Sequence, residues 1–89
     1  MTGVERELVI RVTRAVAAES VGISITRIVR YERLGLVAPT RVNRQVRYGP
    51  LELARLRKLR RLTDDLGVNL AGAQIILRLL DEMERRDGG

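Results

Sequence analysis

Pro50 followed by leucines at 51, 53, 56, 59, 62 and 66 constrains this chain more than any other feature. Proline is favoured at the first position of a helix, and apolar residues spaced by threes and fours draw one stripe along it. The sequence therefore predicts a helix from Pro50 to Leu66 with a face to bury. The material available to bury it is aliphatic: 45% of the 89 residues are hydrophobic, but there is no Phe, no Trp and only two Tyr. A mostly α domain assembled from Leu, Ile, Val and Ala follows. At this length one core only just supports folding, so a second copy or a partner is expected to contribute.

Cysteine and histidine are both absent, which excludes disulfides, thiolate nucleophiles and the usual zinc and haem ligands. No cofactor is expected. With no candidate nucleophile, carboxylate pair or glycine loop for phosphates, the chain is not read as an enzyme. Glu5 and Glu7 interrupt the N-terminus before any apolar run of signal-peptide length, and nothing approaches a membrane span; a cytoplasmic protein is expected. The net charge is +6, with +5 in residues 1–50, +2 in 51–66 and −1 in 67–89. Sixteen of the seventeen basic residues are Arg, whose planar fork suits phosphates and base edges. A polyanion is the first partner to consider, although an arginine-rich solvated surface would give the same count.

Along the chain, Leu8 to Val12 alternates enough for a short strand, and Thr13 can cap a helix through Ala15, Val16, Ala17 and Ala18. Gly22 supplies a turn, and Ser24 can cap a second helix through Ile25, Ile28, Val29 and Leu34. Two short helices about a glycine turn form a helix-turn-helix pattern. Gly35 ends the second helix and Pro39 blocks a restart. From Thr40 to Tyr48 only Val42 and Val46 are apolar among arginines 41, 44 and 47, which suits a hairpin with its tip at Asn43, Arg44 and Gln45, or else an open loop.

Gly67 breaks the Leu-striped helix and Asn69 can cap a last one, from Leu70 to about Arg86. Its apolar residues make two rows: Leu70, Ala73, Leu77 and Leu80, then Ile75, Ile76, Leu79 and Met83. So broad a surface suggests a dimer interface at Ile75, Ile76, Leu79, Leu80 and Met83, unless both rows fold back onto the Leu51 to Leu66 helix. Asp81, Glu82 and Glu84 read as a solvated terminal turn.

The run "VGISITRIVRYERLGLVAP", a basic segment, "RY" and a Leu-striped helix ending in "LRRLTDDLGVNLAGAQIIL" together resemble the DNA-binding domain of the MerR family of transcription regulators. The resemblance covers roughly Thr13 to Leu80, and the "GVNLAG" joint is closer to its heat-shock-repressor branch. It is also similar to small chaperone modulators that bind J-domain co-chaperones. The resemblance implies a winged helix-turn-helix over residues 8–66, after a tail at 1–7, and a dimerisation or partner helix over 67–89. It implies that the helix from Ser24 to Leu34 enters the major groove, with Thr26, Arg27 and Arg30 on the polar face opposite Ile25, Ile28 and Val29. Ser24, Tyr31 and Arg33 join the DNA-binding set, the last two through the backbone, and Arg41, Arg44 and Arg47 become wing contacts. Tyr48 is expected to pack under the wing. Glu32 is expected to be a salt-bridge or cap partner, and Arg55, Arg57, Lys58, Arg60 and Arg61 a solvated helix face.

Some residues depart from the family pattern. Val29 stands where relatives carry Arg, Arg14 where the first helix is usually apolar, and the wing "TRVNRQ" lacks the usual glycine. Relatives that sense metals, drugs or redox state carry cysteines or ligand domains beyond the final helix, so sensing within this polypeptide is not expected. The sequence thus leads to a dimeric DNA-binding regulator, a repressor or accessory factor on an inverted-repeat operator in double-stranded DNA. The alternative is a chaperone modulator that binds a J-domain protein.

Overall fold

The computed structural model describes residues 10–88. Its elements run β1 (Val12–Thr13), α1 (Arg14–Val21), α2 (Ile25–Arg33), β2 (Thr40–Val42), β3 (Gln45–Tyr48), α3 (Pro50–Arg60), a π-helical turn (Arg61–Asp65) and α4 (Leu70–Gly88). The fold is mostly helical with a small antiparallel sheet, as expected for a winged helix-turn-helix. The contacts gather into two units, one ending at Arg57 and the other starting at Lys58.

Local chemistry explains the first unit. Thr13 has extended φ and ψ, and its hydroxyl accepts the Val16 N–H at 3.2 Å, capping α1. Gly22 closes α1 at φ 82°, a left-handed conformation that costs glycine little, and so sets the turn into α2. Ser24 repeats the Thr13 cap, taking the Arg27 N–H at 3.1 Å. At its end α2 stops in a Schellman arrangement: Leu36 N–H reaches the Tyr31 carbonyl at 2.9 Å, Gly35 N–H the Glu32 carbonyl at 3.1 Å, and Gly35 sits at φ 72°.

The expected hairpin is present, which removes the open-loop alternative. Asn43 and Arg44 form its two-residue tip, at φ 51° and 70°, the two positive values that a type I′ turn requires. Gln45, expected at the tip, is instead the first residue of β3 and pairs with Val42. The strand order is β1-β3-β2, with Val12 opposite Tyr48 and Thr40 opposite Arg47. Along β3 the side chains alternate, Val46 and Tyr48 inward, Gln45 and Arg47 outward. The expected strand from Leu8 is seen only as Val12–Thr13; Leu8, Val9 and the 1–7 tail lie outside the described residues.

The core of this unit is Ala17, Ala18, Val21, Ile28, Tyr31, Leu36, Val37, Val46, Tyr48 and Leu56. In the second unit Leu59, Ala73 and Leu77 are buried. The helix predicted from Pro50 to Leu66 is shorter than its leucines suggested. Leu51 is 81% exposed and Leu66 63% exposed, and regular α geometry ends at Arg60. Two hydrogen bonds account for the change. The Thr63 hydroxyl bonds back to the Leu59 carbonyl at 3.0 Å, which competes with the backbone ladder, and Leu66 N–H bonds to the Arg61 carbonyl, five residues back. Asn69 then caps α4 as expected, its side-chain oxygen accepting the Gly72 N–H at 2.8 Å.

Candidate nucleic-acid interface

The groundwork of the site is a half-buried polar junction. Arg14 of α1 donates to Glu32 of α2 through Nε at 3.0 Å and Nη2 at 2.7 Å, and the Tyr48 hydroxyl of β3 donates to the same carboxylate at 2.7 Å. Three elements are thereby tied to one side chain. Burial would raise the Glu32 pKa, but the hydrogen bonds from Arg14 and Tyr48 and the Arg14 charge outweigh it, leaving the carboxyl below its ordinary range. Tyr48 moves the other way: burial, aided by the bond to a carboxylate, pushes the phenol well above its ordinary value. The Glu32 bond also lifts the Arg14 guanidinium. Glu32 is therefore the salt-bridge partner it was expected to be. Arg14, a departure from the pattern, is explained as its counterion.

On this base α2 presents its residues in two ways. Ile28 and Tyr31, three apart, are buried and form the seam that seats the helix. Thr26, Arg30 and Arg33 are exposed, and among the described residues the Arg30 and Arg33 side chains have no ion-pair or hydrogen-bond partner. Arg27 lies between these groups. Its Nε donates to the Tyr31 hydroxyl at 2.6 Å, with the guanidinium carbon 5.6 Å from the ring centroid, which fixes the head group over the aromatic face.

The predicted site residues therefore divide. Thr26, Arg30, Arg33, Arg41 and Arg44 are exposed and open to a partner. Ser24 is exposed but its hydroxyl is engaged as the helix cap. Tyr31 is 2% exposed, so its hydroxyl works first as the acceptor that orients Arg27. Arg47 is half-buried on the central strand, where it donates to the Val46 carbonyl at 3.2 Å and to the Gln45 side chain. On α4, Ile75, Leu79 and Met83 are exposed at 59, 53 and 57%, while Ile76 and Leu80 are half-buried.

Two assignments need correction. Ile25 and Val29 were expected on the apolar side of α2, yet Ile25 is 47% exposed and both line one groove with Thr26, Arg30 and Arg33. The reason is the brevity of α2, nine residues: its buried seam reaches only from Ile28 to Tyr31, and Ile25 at the first turn lies beyond it. Arg55, expected on a solvated face, is half-buried and donates through Nε to the Leu36 carbonyl just after α2. No spacing in the sequence signals that bond, because the acceptor is backbone. Arg57 reaches Ser20 Oγ at 3.3 Å.

Among the described residues no cluster of acidic, His or Cys side chains has the makings of a metal site, and no helix is long and apolar enough to cross a membrane. No solved structure matches the chain. The chain is 37% identical over 70 residues to a protein of Streptomyces coelicolor (strain ATCC BAA-471 / A3(2) / M145) that carries the name heat shock protein HspR, an alignment covering 78% of this chain and 46% of that protein. It spans just under half the length of that relative. Residues 4–87 match the family of MerR HTH regulatory proteins, a stretch that includes the capped α1–α2 pair, the hairpin and the helices after it. By that match the chain belongs to the MerR helix-turn-helix family of regulatory proteins.

Proposed function

We propose that the protein is a sequence-specific, DNA-binding transcriptional regulator that acts as a dimer on an inverted-repeat operator, as a repressor or an accessory factor. In this reading α2 enters the major groove and the β2–β3 hairpin lies as a wing along the phosphates. The observation that carries it is the division of α2: one side fixed by Ile28, Tyr31 and the Glu32 junction, the other offering the Arg30 and Arg33 side chains, which have no partner among the described residues. Arg41 and Arg44, exposed on the wing, extend the basic surface. Ile75, Leu79 and Met83, exposed at i, i+4 and i+8 of α4, support the dimer, since a second copy of the same face would cover them.

The test is a titration of duplex DNA at several salt concentrations, beside the double variant Arg27→Ala/Arg30→Ala. If about six arginines per dimer neutralise phosphates, log affinity falls against log salt with a slope of roughly −5. The double variant is expected to bind weakly. A slope near zero, or undiminished binding by the variant, would contradict the placement of α2. Absence of any DNA binding would leave co-chaperone binding as the reading to pursue.

A further inference from the structure

Ile25 breaks the habit of amphipathic helices, which turn aliphatic side chains inward. It is 47% exposed, and with Val29, one turn on, it lines a groove of about 420 Å3 completed by Thr26, Arg30 and Arg33. Ile25, Val29 and Arg33 follow one another at i, i+4 and i+8, and Thr26 and Arg30 make the adjoining row. An aliphatic strip between guanidinium groups is poorly suited to a phosphate, which needs N–H donors along its whole approach. It suits a surface that is polar and anionic but carries a small apolar knob. In the major groove that knob is the C5-methyl group of thymine, and the guanine O6 and N7 acceptors are what a guanidinium beside it would engage.

We infer that Ile25 and Val29 read thymine through its methyl group, so that α2 specifies sequence partly by apolar contact and not by its arginines alone. The inference rests on the DNA-binding reading above and assigns to this groove its occupant. The experiment lets the protein enrich its own site from a random duplex library, then remakes that duplex with deoxyuridine replacing thymine one position at a time. This substitution removes the methyl and leaves every hydrogen-bonding group. At one thymine in each half-site, affinity is expected to fall about fourfold, the worth of one buried methylene-sized group. Ile25→Ala and Val29→Ala are each expected to narrow the gap between thymine and uracil duplexes, and the double variant to close it.

Equal affinity for thymine and uracil at every position, by wild-type protein that still selects its site, would overturn the inference and leave DNA binding standing. A thymine preference undiminished in the Ile25→Ala/Val29→Ala double variant would overturn it as well. Failure to enrich any duplex would overturn both readings. The uracil series uses the wild-type chain, so it does not depend on how any variant folds.

Discussion

Arg44 holds a conformation that a residue with a side chain rarely adopts, φ 70° at the second tip position of the hairpin. A type I′ turn strongly prefers glycine there, and the left-handed region costs other residues roughly 1–2 kcal/mol. Arg44→Gly is therefore expected to raise the melting temperature while lowering DNA affinity, with the salt slope shallower by roughly one per protomer. A change of both quantities in the same direction would deny the wing arginine its phosphate. At the Glu32 junction the prediction concerns pH. A folded carboxyl held below its ordinary 4.5 contributes stability that is present above that value and lost as pH falls through the lower, folded pKa. For Tyr48 the folded phenol stays neutral above its ordinary 10.0 while the unfolded one ionises, so stability falls again as pH rises past that value. Thermal melts across pH should show both limbs, and Glu32→Gln should flatten the acid one. These residues were partly legible in advance: a carboxylate on a helix beside an arginine-rich neighbourhood invites an ion pair. That Arg14 would be the partner was not, because the two are 18 residues apart and meet only when α1 and α2 pack.

At the scale of elements, the capping residues carried the sequence reading. Thr13, Ser24 and Asn69 each accept a backbone N–H three residues on, as short polar side chains ahead of apolar runs should. The hairpin was legible too, through its alternation. Periodicity misled where tertiary packing decides: Leu51 satisfies the leucine stripe and is exposed, and Leu62 sits in a π turn, just ahead of Leu66, that Thr63 helps to open. Ile25 shows the same limit, since spacing alone cannot say how far along a short helix the core extends. The contrast between Ile28 and Ile25 tests this account of α2. Ile28 is fully buried, so Ile28→Ala is expected to cost about 2–5 kcal/mol in denaturant unfolding. Ile25→Ala is expected to cost much less, being half-exposed already. Equal losses would mean that the seam of α2 includes its first turn.

For the whole molecule, the proposed dimer rests on the exposed face of α4. Leu79 lies in the middle of the Ile75 to Met83 line, and Leu79→Glu is expected to leave a single chain by sedimentation, with DNA affinity down by roughly a hundredfold as the two half-sites lose their linkage. Wild-type protein that sediments as one chain at every concentration would remove the dimer. The fold and the family were within reach of the sequence because caps, turn chemistry and the order of motifs agree with one another. The division of arginines into open and engaged ones was not, since it depends on where Tyr31, Gln45 and the Leu36 carbonyl come to lie. That α2 and the wing are the surface that meets DNA is the central claim, and backbone amide chemical shifts measured while duplex DNA is titrated in test it most directly. The largest changes are expected at Thr26, Arg27, Arg30 and Arg33 and at Arg41 and Arg44; shifts confined to residues 70–83, or none at all, would contradict the claim.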